Sequence, residues 1–358
     1  MATKIEDVIK EINAGLKNKY AIYRACDVPP EAIQRNVCPT GCLTLDLAME
    51  CGGLPIPDGK IIHIWGDNGS GKTTLAFNII AEYQRKYPDE LAMYFNLEQT
   101  YDEGYMKLHG VNIDRLLPAQ NVFGGEAIMA TMEAVMAKNY ARLFVIDSLP
   151  GMKPIAELEK SADEPEKIGS LSLFLSQNLP KLLNMMNRDP LHRKSVIIIN
   201  QPRTNIGQRY GNNLQPMGGQ ALRYYMHVSI FLQKRLAKAD RVYRHGKRII
   251  YRSGDVRSDY EQIGHSCEGF IDKSKVSAAS CKGNTFKFRL IAGIGLDNIY
   301  DMYKAGLQTG IIIQKGVYYT LDNKKFKGID ALCGYLSTLD YSEYRERVLA
   351  AQRGGNEE

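Results

Sequence analysis

Apolar positions along the chain follow two periods. In the first segment Ile5, Val8, Ile9, Ile12 and Leu16 recur at helical spacing, and Gly15 stands near a plausible end, which predicts an amphipathic helix. A short, mostly apolar stretch from Ala21 to Ala25 follows, then the breaker Pro29-Pro30. A helix and a lone strand ahead of a core bury little by themselves, so this element is expected to dock on the main domain or on another subunit. From about Lys60, short apolar runs alternate with helical segments. KIIHIW (60–65), LAMYFN (91–96), RLFVID (142–147), SVIIIN (195–200) and HVSIFLQ (227–233) read as strands, and stretches such as TTLAFNIIAEYQRKY and AIMATMEAVMAKNYA read as helices between them. Buried strands alternating with helices predict an α/β fold: a mostly parallel, doubly wound sheet with helices on both faces. Beyond about residue 295, short helices and a hairpin around GVYYTLDNKKF suggest a small α+β C-terminal domain. The expected division is 1–35, 36–294 and 295–358.

Composition narrows the class. The 358 residues are 44% apolar and 24% charged, which is ordinary globular usage and excludes a disordered chain. No apolar run approaches the ~20 residues that span a bilayer, and the charged N-terminal segment lacks a signal-peptide core. The expectation is a soluble, cytoplasmic protein with no membrane partner. Its seven cysteines form no CxxC pair, so free thiols in a reducing compartment are expected. The net charge of +6 is mild, but Lys234 to Arg257 holds nine basic and two acidic residues. Such a segment gathers phosphates by counterion release, or is simply a solvated hairpin.

The strongest local signal is Gly66-Asp67-Asn68-Gly69-Ser70-Gly71-Lys72-Thr73, a full match to GxxxxGK[ST] with Thr74 continuing the run. It follows an expected strand and opens an expected helix, the context the motif needs. Glycines let backbone N–H groups curl around phosphate oxygens, and the helix N-terminus adds positive potential. Lys72 is expected to reach the β- and γ-phosphates of ATP, and the Thr73 hydroxyl to ligate Mg²⁺. Asp147 ends the strand RLFVI, where a metal-facing carboxylate sits at the carboxyl edge of the sheet; alone it would read as a turn cap. Glu98 lies just past LAMYFN on the same edge, suited to activating the attacking water, or else an exposed loop glutamate. Gln201, just past SVIIIN, either senses the γ-phosphate or terminates its strand.

These residues, in this order, resemble the RecA family of DNA strand-exchange recombinases across most of the chain. TGCLTLDLAMECGGLP, EQTYDEGYMKLHGVN, VIDSLPGMKPIAELE, INQPRTNIG…MGGQALRYY and the triplet Lys273-Ser274-Lys275 carry the likeness. The resemblance implies a RecA-like ATPase core with an N-terminal polymerisation element. It places Glu98 at the hydrolytic glutamate, Asp102 and Tyr105 at adenine contacts, and Gln201 at the link between γ-phosphate and DNA. Lys273 and Lys275 fall on residues that reach a neighbour's nucleotide. Two DNA loops are implied, roughly Asp163 to Gly169 and Pro202 to Met217. Ile168 and Ile206 match side chains that wedge between bases, Ser176, Gly218 and Gly219 match phosphate contacts, and Arg203 and Arg209 add charge.

The implied partners are single-stranded DNA, double-stranded DNA and further copies of the chain in a helical filament. The implied activity is DNA-dependent ATP hydrolysis in recombination, repair and the DNA damage response. Three features depart from the bacterial pattern: Leu173 and Pro180 stand where it has arginines, the stretch Lys234 to Asp259 is longer and more basic than the usual hairpin, and AAQRGGNEE is not a long acidic tail. Such divergence suits a bacteriophage-encoded or remote member. A hexameric helicase-like motor, an ATP-binding DNA scaffold without turnover and a small-molecule kinase are competing readings. None of the three accounts for every one of the docking element, the KSK triplet, the two loops and an intact Glu98 with Lys72.

Overall fold

The computed structural model describes residues 2–15, 22–27, 36–99, 102–161, 163–165, 167, 169–204, 214–251, 259–276 and 281–354. In chain order, α1 (Ala2–Gly15) and α2 (Leu43–Ala48) precede β1 (Ile61–Gly66), α3 (Lys72–Lys86) and β2 (Leu91–Asn96). Next come α4 (Glu103–Leu108), β3 (Leu116–Ala119), α5 (Gly125–Ala137) and β4 (Ala141–Asp147). They are followed by α6 (Ile155–Leu158), α7 (Ser170–Asn187) and β5 (Ser195–Asn200). A ribbon of β6 (Pro202–Thr204) and β7 (Leu214–Pro216) leads to α8 (Gly219–Tyr225) and β8 (Val228–Lys234). Then follow β9 (Arg241–His245), β10 (Arg248–Ile250), β11 (Glu261–Ser274), β12 (Thr285–Ile291) and β13 (Gly295–Leu296). The chain ends in α9 (Asn298–Gln308), β14 (Ile313–Lys315), β15 (Tyr318–Leu321), β16 (Lys324–Lys327), α10 (Ile329–Leu336) and α11 (Tyr341–Gly354).

The main sheet runs β10-β9-β11-β8-β1-β5-β4-β2-β3, with β12 and β13 added beside β11. From β8 to β3 every pairing is parallel, as the alternation of apolar runs and helices predicts. The five expected strands are all present, β2 and β5 with the expected ends. In the antiparallel extension, β9 and β10 form the hairpin expected within the basic segment, whereas β11 to β13 have no counterpart among the expected elements. Its strands carry alternating charged and apolar residues at an edge, so they lack the continuous apolar run of a central strand.

Alternation of side chains divides the parallel strands between two cores. Ile62, Ile64, Tyr94, Val145, Ile197 and Ile230 pack with α3 on one face. On the other, Phe95, Phe144, Ile146, Val196 and Ile198 pack with α5 and α7. Truncating one such core side chain to alanine costs about 2–5 kcal/mol, so the strand ends that carry the site are held rigidly.

The C-terminal elements bury a third cluster in which Tyr300, Met302, Val348 and Leu349 meet Leu43 and Leu47 of α2. Asp301, fully buried, accepts hydrogen bonds from Leu43 N and from Thr44 N at 3.1 Å, tying α9 to the first turn of α2. Where a hairpin was expected, β14, β15 and β16 form a three-stranded antiparallel meander. At the front, α1 forms as expected, whereas residues 22–24 are not strand within the single chain. Instead the Asn13 amide pairs with both backbone groups of Ile22, donating to its O at 2.7 Å and accepting from its N at 3.1 Å. Among the described residues this segment has no ladder partner, and the amide takes that place. Among the described residues no helix is long and apolar enough to cross a membrane.

Candidate functional site

The phosphate loop joins β1 to α3 and turns on left-handed glycines. Gly71, the residue before the helix, has φ 90°, and a Cβ there would lie 2.8 Å from Leu290. A Cβ on Gly66 would lie 1.8 Å from the Leu232 carbonyl, so neither position admits a side chain. Lys72 donates to the carbonyls of Gly66 at 2.9 Å and Asp67 at 2.8 Å, folding its ammonium over the loop; burial lowers its pKa. Ser70 Oγ is buried without a hydrogen-bond partner inside this loop, an orphaned donor of the kind a phosphate oxygen satisfies.

Three strand ends converge beside the loop. Asp147 Oδ2 accepts from Thr73 Oγ1 at 2.8 Å and from the Tyr94 hydroxyl at 3.0 Å. Burial pushes the Asp147 carboxyl up from the ordinary range, and the Thr73 hydrogen bond opposes that shift. One hydroxyl and one carboxylate at a helix N-terminus suit a hard cation that completes its shell with phosphate oxygens and water. Glu98 Oε1 accepts from Ser148 Oγ at 2.5 Å and from Gln201 Nε2 at 3.1 Å. Asp102 caps α4 by accepting from Tyr105 N at 3.0 Å, and the Tyr105 hydroxyl meets Thr74 Oγ1 at 2.6 Å. The expected nucleotide and metal residues therefore come together on one edge of the sheet.

Lys273 and Lys275 do not join this cluster. Their ammonium groups donate to the carbonyls of Arg223 and Tyr224, at the C-terminal end of α8, the second bond at 2.9 Å. Burial and the neighbouring Lys275 bring the Lys273 pKa down to about 8.

The stems of the two expected DNA loops meet. A cleft lined by Lys153, Lys167, Gly169, Arg203, Met217 and Gly218 lies between them. Gly218 and Gly219 have φ of 97° and 66°, and a Cβ on Gly219 would lie 2.7 Å from Ser172 Oγ. Ser176 is exposed on α7, its hydroxyl donating to Leu173 O at 2.7 Å. Ile168, Ile206 and Arg209 lie outside the described residues.

The model of the RecA N-terminal domain family matches residues 3–279. The chain belongs to the RecA family. It is similar to the protein RecA of Syntrophus aciditrophicus, 30% identical over 289 residues that cover 81% of this chain and 76% of its relative. The protein RecA of Petrotoga mobilis is 29% identical over 321 residues, covering 87% and 79%. That of Aquifex aeolicus is 28% identical over 365 residues, covering 99% and 97%. As a RecA-family recombinase the chain is a DNA-dependent, nucleotide-binding ATPase that acts in DNA strand exchange.

Within this RecA-family site several residues escaped the sequence reading. Tyr94 and Ser148 hold the two carboxylates, and His265 Nε2 meets Gly69 O at 2.9 Å from the antiparallel extension. Lys234 lies against Gly69 from the end of β8. Nothing local marks these side chains, because each is brought to the loop by strand pairing with a distant segment. Leu173 is exposed on α7, and Pro180 sits inside that helix, so neither position offers a cation to DNA.

Proposed function

We propose that this recombinase binds ATP with Mg²⁺ at the phosphate loop and stacks head to tail into a helical filament on single-stranded DNA. The filament holds that strand extended and lets base pairing test a homologous duplex, so specificity lies in Watson–Crick pairing while the protein reads backbone and shape. The observation that carries this reading is the hydrogen bond from Gln201 to Glu98. It joins the residue suited to activate water to the first residue of the second loop's stem, so γ-phosphate occupancy and loop position share one contact.

The roles follow from position. Residues 66–74 cradle the phosphates, Lys72 neutralises the β- and γ-oxygens, and Asp102 with Tyr105 borders the adenine. Thr73 and Asp147 would hold Mg²⁺, which supplies charge neutralisation on the phosphates when bound. Glu98 orients and deprotonates the attacking water. Lys273 and Lys275, remote from their own phosphate loop, serve a neighbour's nucleotide, which makes turnover depend on stacking. Ile168 and Ile206 wedge between bases, while Ser176, Arg203, Arg209, Gly218 and Gly219 hold phosphates.

Residues 1–35 form the docking element, 36–294 the ATPase core and 295–358 a C-terminal domain. Ile5, Val8 and Ile12 of α1 leave an apolar stripe exposed, which suits docking on the next subunit. The basic segment from Lys234 to Arg257 supplies further duplex or strand contacts, and the protein works in the cytoplasm. ATP hydrolysis with and without single-stranded DNA tests the proposal, alongside Lys72→Ala and electron microscopy of the same samples. DNA-stimulated turnover with open filaments is expected. Turnover with closed rings would make the protein a motor, and filaments without turnover a scaffold.

A further inference from the structure

His63 lies in the middle of β1, fully buried, within a strand whose other residues are apolar core. A buried imidazole needs partners, and both of its nitrogens have one. Nε2 is 3.0 Å from Asn200 Nδ2, and Nδ1 is 3.1 Å from Ser229 Oγ, its cross-strand neighbour on β8. Asn200 Nδ2 also donates to Met217 O at 2.9 Å, and Asn200 Oδ1 accepts from Gln201 N at 2.8 Å. Those two backbone partners fix the amide's orientation, since a flipped amide would set oxygen against oxygen and N–H against N–H. Nε2 is therefore the acceptor and Nδ1 carries the proton. Ser229 Oγ accepts from it and donates to Asp272 Oδ2 at 3.3 Å.

Asp272 is the extra residue of a bulge in β11: the register against β8 shifts between Ile271 and Lys273. A bulge re-aims the side chains around it. Here the bond from Ser229 holds the bulged residue, and the next positions carry Lys273 and Lys275, whose ammonium groups end on the last carbonyls of α8. The same helix follows directly on Met217, which Asn200 holds. The helix is thus gripped at both ends, and the two grips are joined through His63.

We propose that His63 is a positioning residue, the central link of a buried relay running from Asn200 through Ser229 to Asp272. The relay couples Gln201 and the stem of the second DNA loop to the strand that aims Lys273 and Lys275. A shift at the γ-phosphate side moves the interface lysines without a contact between the two sites. Burial holds the imidazole neutral, its pKa near 3, so the relay keeps one proton arrangement across the working range. This inference rests on the recombinase reading only for its consequence; the hydrogen-bond directions stand on geometry alone.

Two measurements on the full chain test it. The imidazole ¹⁵N shifts, with His63 assigned through His63→Asn, should show the neutral Nδ1–H form; an Nε2–H form would overturn the relay. Ser229→Ala removes the hydroxyl link at small volume cost, and Ser229→Thr keeps it. Ser229→Ala should lower the DNA-stimulated kcat for ATP by about tenfold while the affinity for ATP without DNA stays within about twofold, and Ser229→Thr should restore the rate. Unchanged stimulation in Ser229→Ala would overturn the proposal. So would a parallel loss of stimulation, nucleotide affinity and thermal midpoint, which would mean packing alone. Absence of DNA stimulation in the unsubstituted protein would instead count against the recombinase reading, and the ¹⁵N tautomer would then decide the relay.

Discussion

Gln201 Nε2 donates to Glu98 Oε1 at 3.1 Å, across the gap between the ends of β5 and β2. The same carboxylate oxygen accepts from Ser148 Oγ, so Glu98 is held by one neighbour just past the end of β4 and one at the start of the proposed second DNA loop. Removing the carboxylate and removing the sensor should therefore have different signatures. Glu98→Gln should lower DNA-stimulated hydrolysis by about 10²–10⁴-fold while leaving ATP-dependent DNA binding in place. Gln201→Ala should leave DNA-free hydrolysis nearly unchanged and abolish its stimulation by DNA. Steady-state turnover with and without single strands separates the two, and equal losses in both assays would contradict the assigned roles.

The carboxylate at the end of β4 makes a claim about metal. Thr73 and Tyr94 both bond one oxygen of Asp147, and in the proposed metal role its other oxygen would enter the ion's shell. Chelating Mg²⁺ should stop hydrolysis. Asp147→Asn should raise the Mg²⁺ concentration for half-maximal turnover by about tenfold or more, and Tyr94→Phe by less, because it removes only the supporting bond. Identical Mg²⁺ titrations for all three proteins would place the metal elsewhere.

Much of this arrangement is legible in the sequence. Five apolar runs gave β1, β2, β4, β5 and β8, and their polar end residues, Asp147, Glu98 and Gln201, fell on one sheet edge because parallel strands end on the same side. Of the antiparallel strands, the hairpin β9–β10 was readable and β11 to β13 were not. Their faces are half exposed and their residues mixed, and β3 is the short run LLPA with Pro118 inside it. His63 was equally silent, since one histidine in an apolar strand reads as ordinary core. Its proposed role rests on β8 bringing Ser229 alongside from 166 positions away. Residues 22–24 are not strand for a related reason: strands are specified by partners, and among the described residues of a single chain this segment has none.

Lys273, in its proposed role, would tie assembly to pH. Its pKa falls to about 8, against an ordinary 10.5, through burial first and then through Lys275; Arg223 also opposes the charge and Asp272 favours it. The folded chain thus binds this proton less tightly than the unfolded chain, so the ammonium is lost as pH rises through about 8. Between about 8 and 10.5 the lost charge relieves a cost to folding, so stability should not decline there on this group's account. If Lys273 serves the neighbour's nucleotide as proposed, ATP-dependent filament formation should nevertheless weaken from about pH 7 to 9, because that charge disappears. Lys273→Arg, which stays charged, should flatten that decline in light scattering. A decline that is the same in both proteins would remove Lys273 from the explanation.

The hairpin of β9 and β10 offers cations whose fate is measurable. Arg244 pairs with Glu261 and His245 with Asp259, while Lys247 and Arg248 stand exposed at its turn. If they meet phosphates, Lys247→Glu with Arg248→Glu should weaken DNA binding and flatten the slope of log affinity against log salt by about one to two units. An unchanged slope would leave the segment a solvated hairpin.

The N-terminal helix carries the last test. Ile5 and Val8 are 51% and 49% exposed, with Ile12 one turn further on the same stripe, so the single chain gains little from burying them. Replacing Val8 and Ile12 by aspartate should therefore leave the thermal midpoint and nucleotide affinity close to those of the unsubstituted protein. At an interface the same changes set two charges in an apolar contact, and buried anchors of this kind carry about 2 kcal/mol or more each. Since every subunit of a filament uses the contact twice, once with each neighbour, assembly should fail at protein concentrations where the unsubstituted chain forms long filaments. DNA-stimulated hydrolysis should fail with it, because Lys273 and Lys275 would have no neighbour to reach. Negative-stain images beside turnover measurements decide the matter: intact filaments in the double variant would remove α1 from the interface, and lost filaments with full DNA-stimulated turnover would mean that the site is complete within one chain.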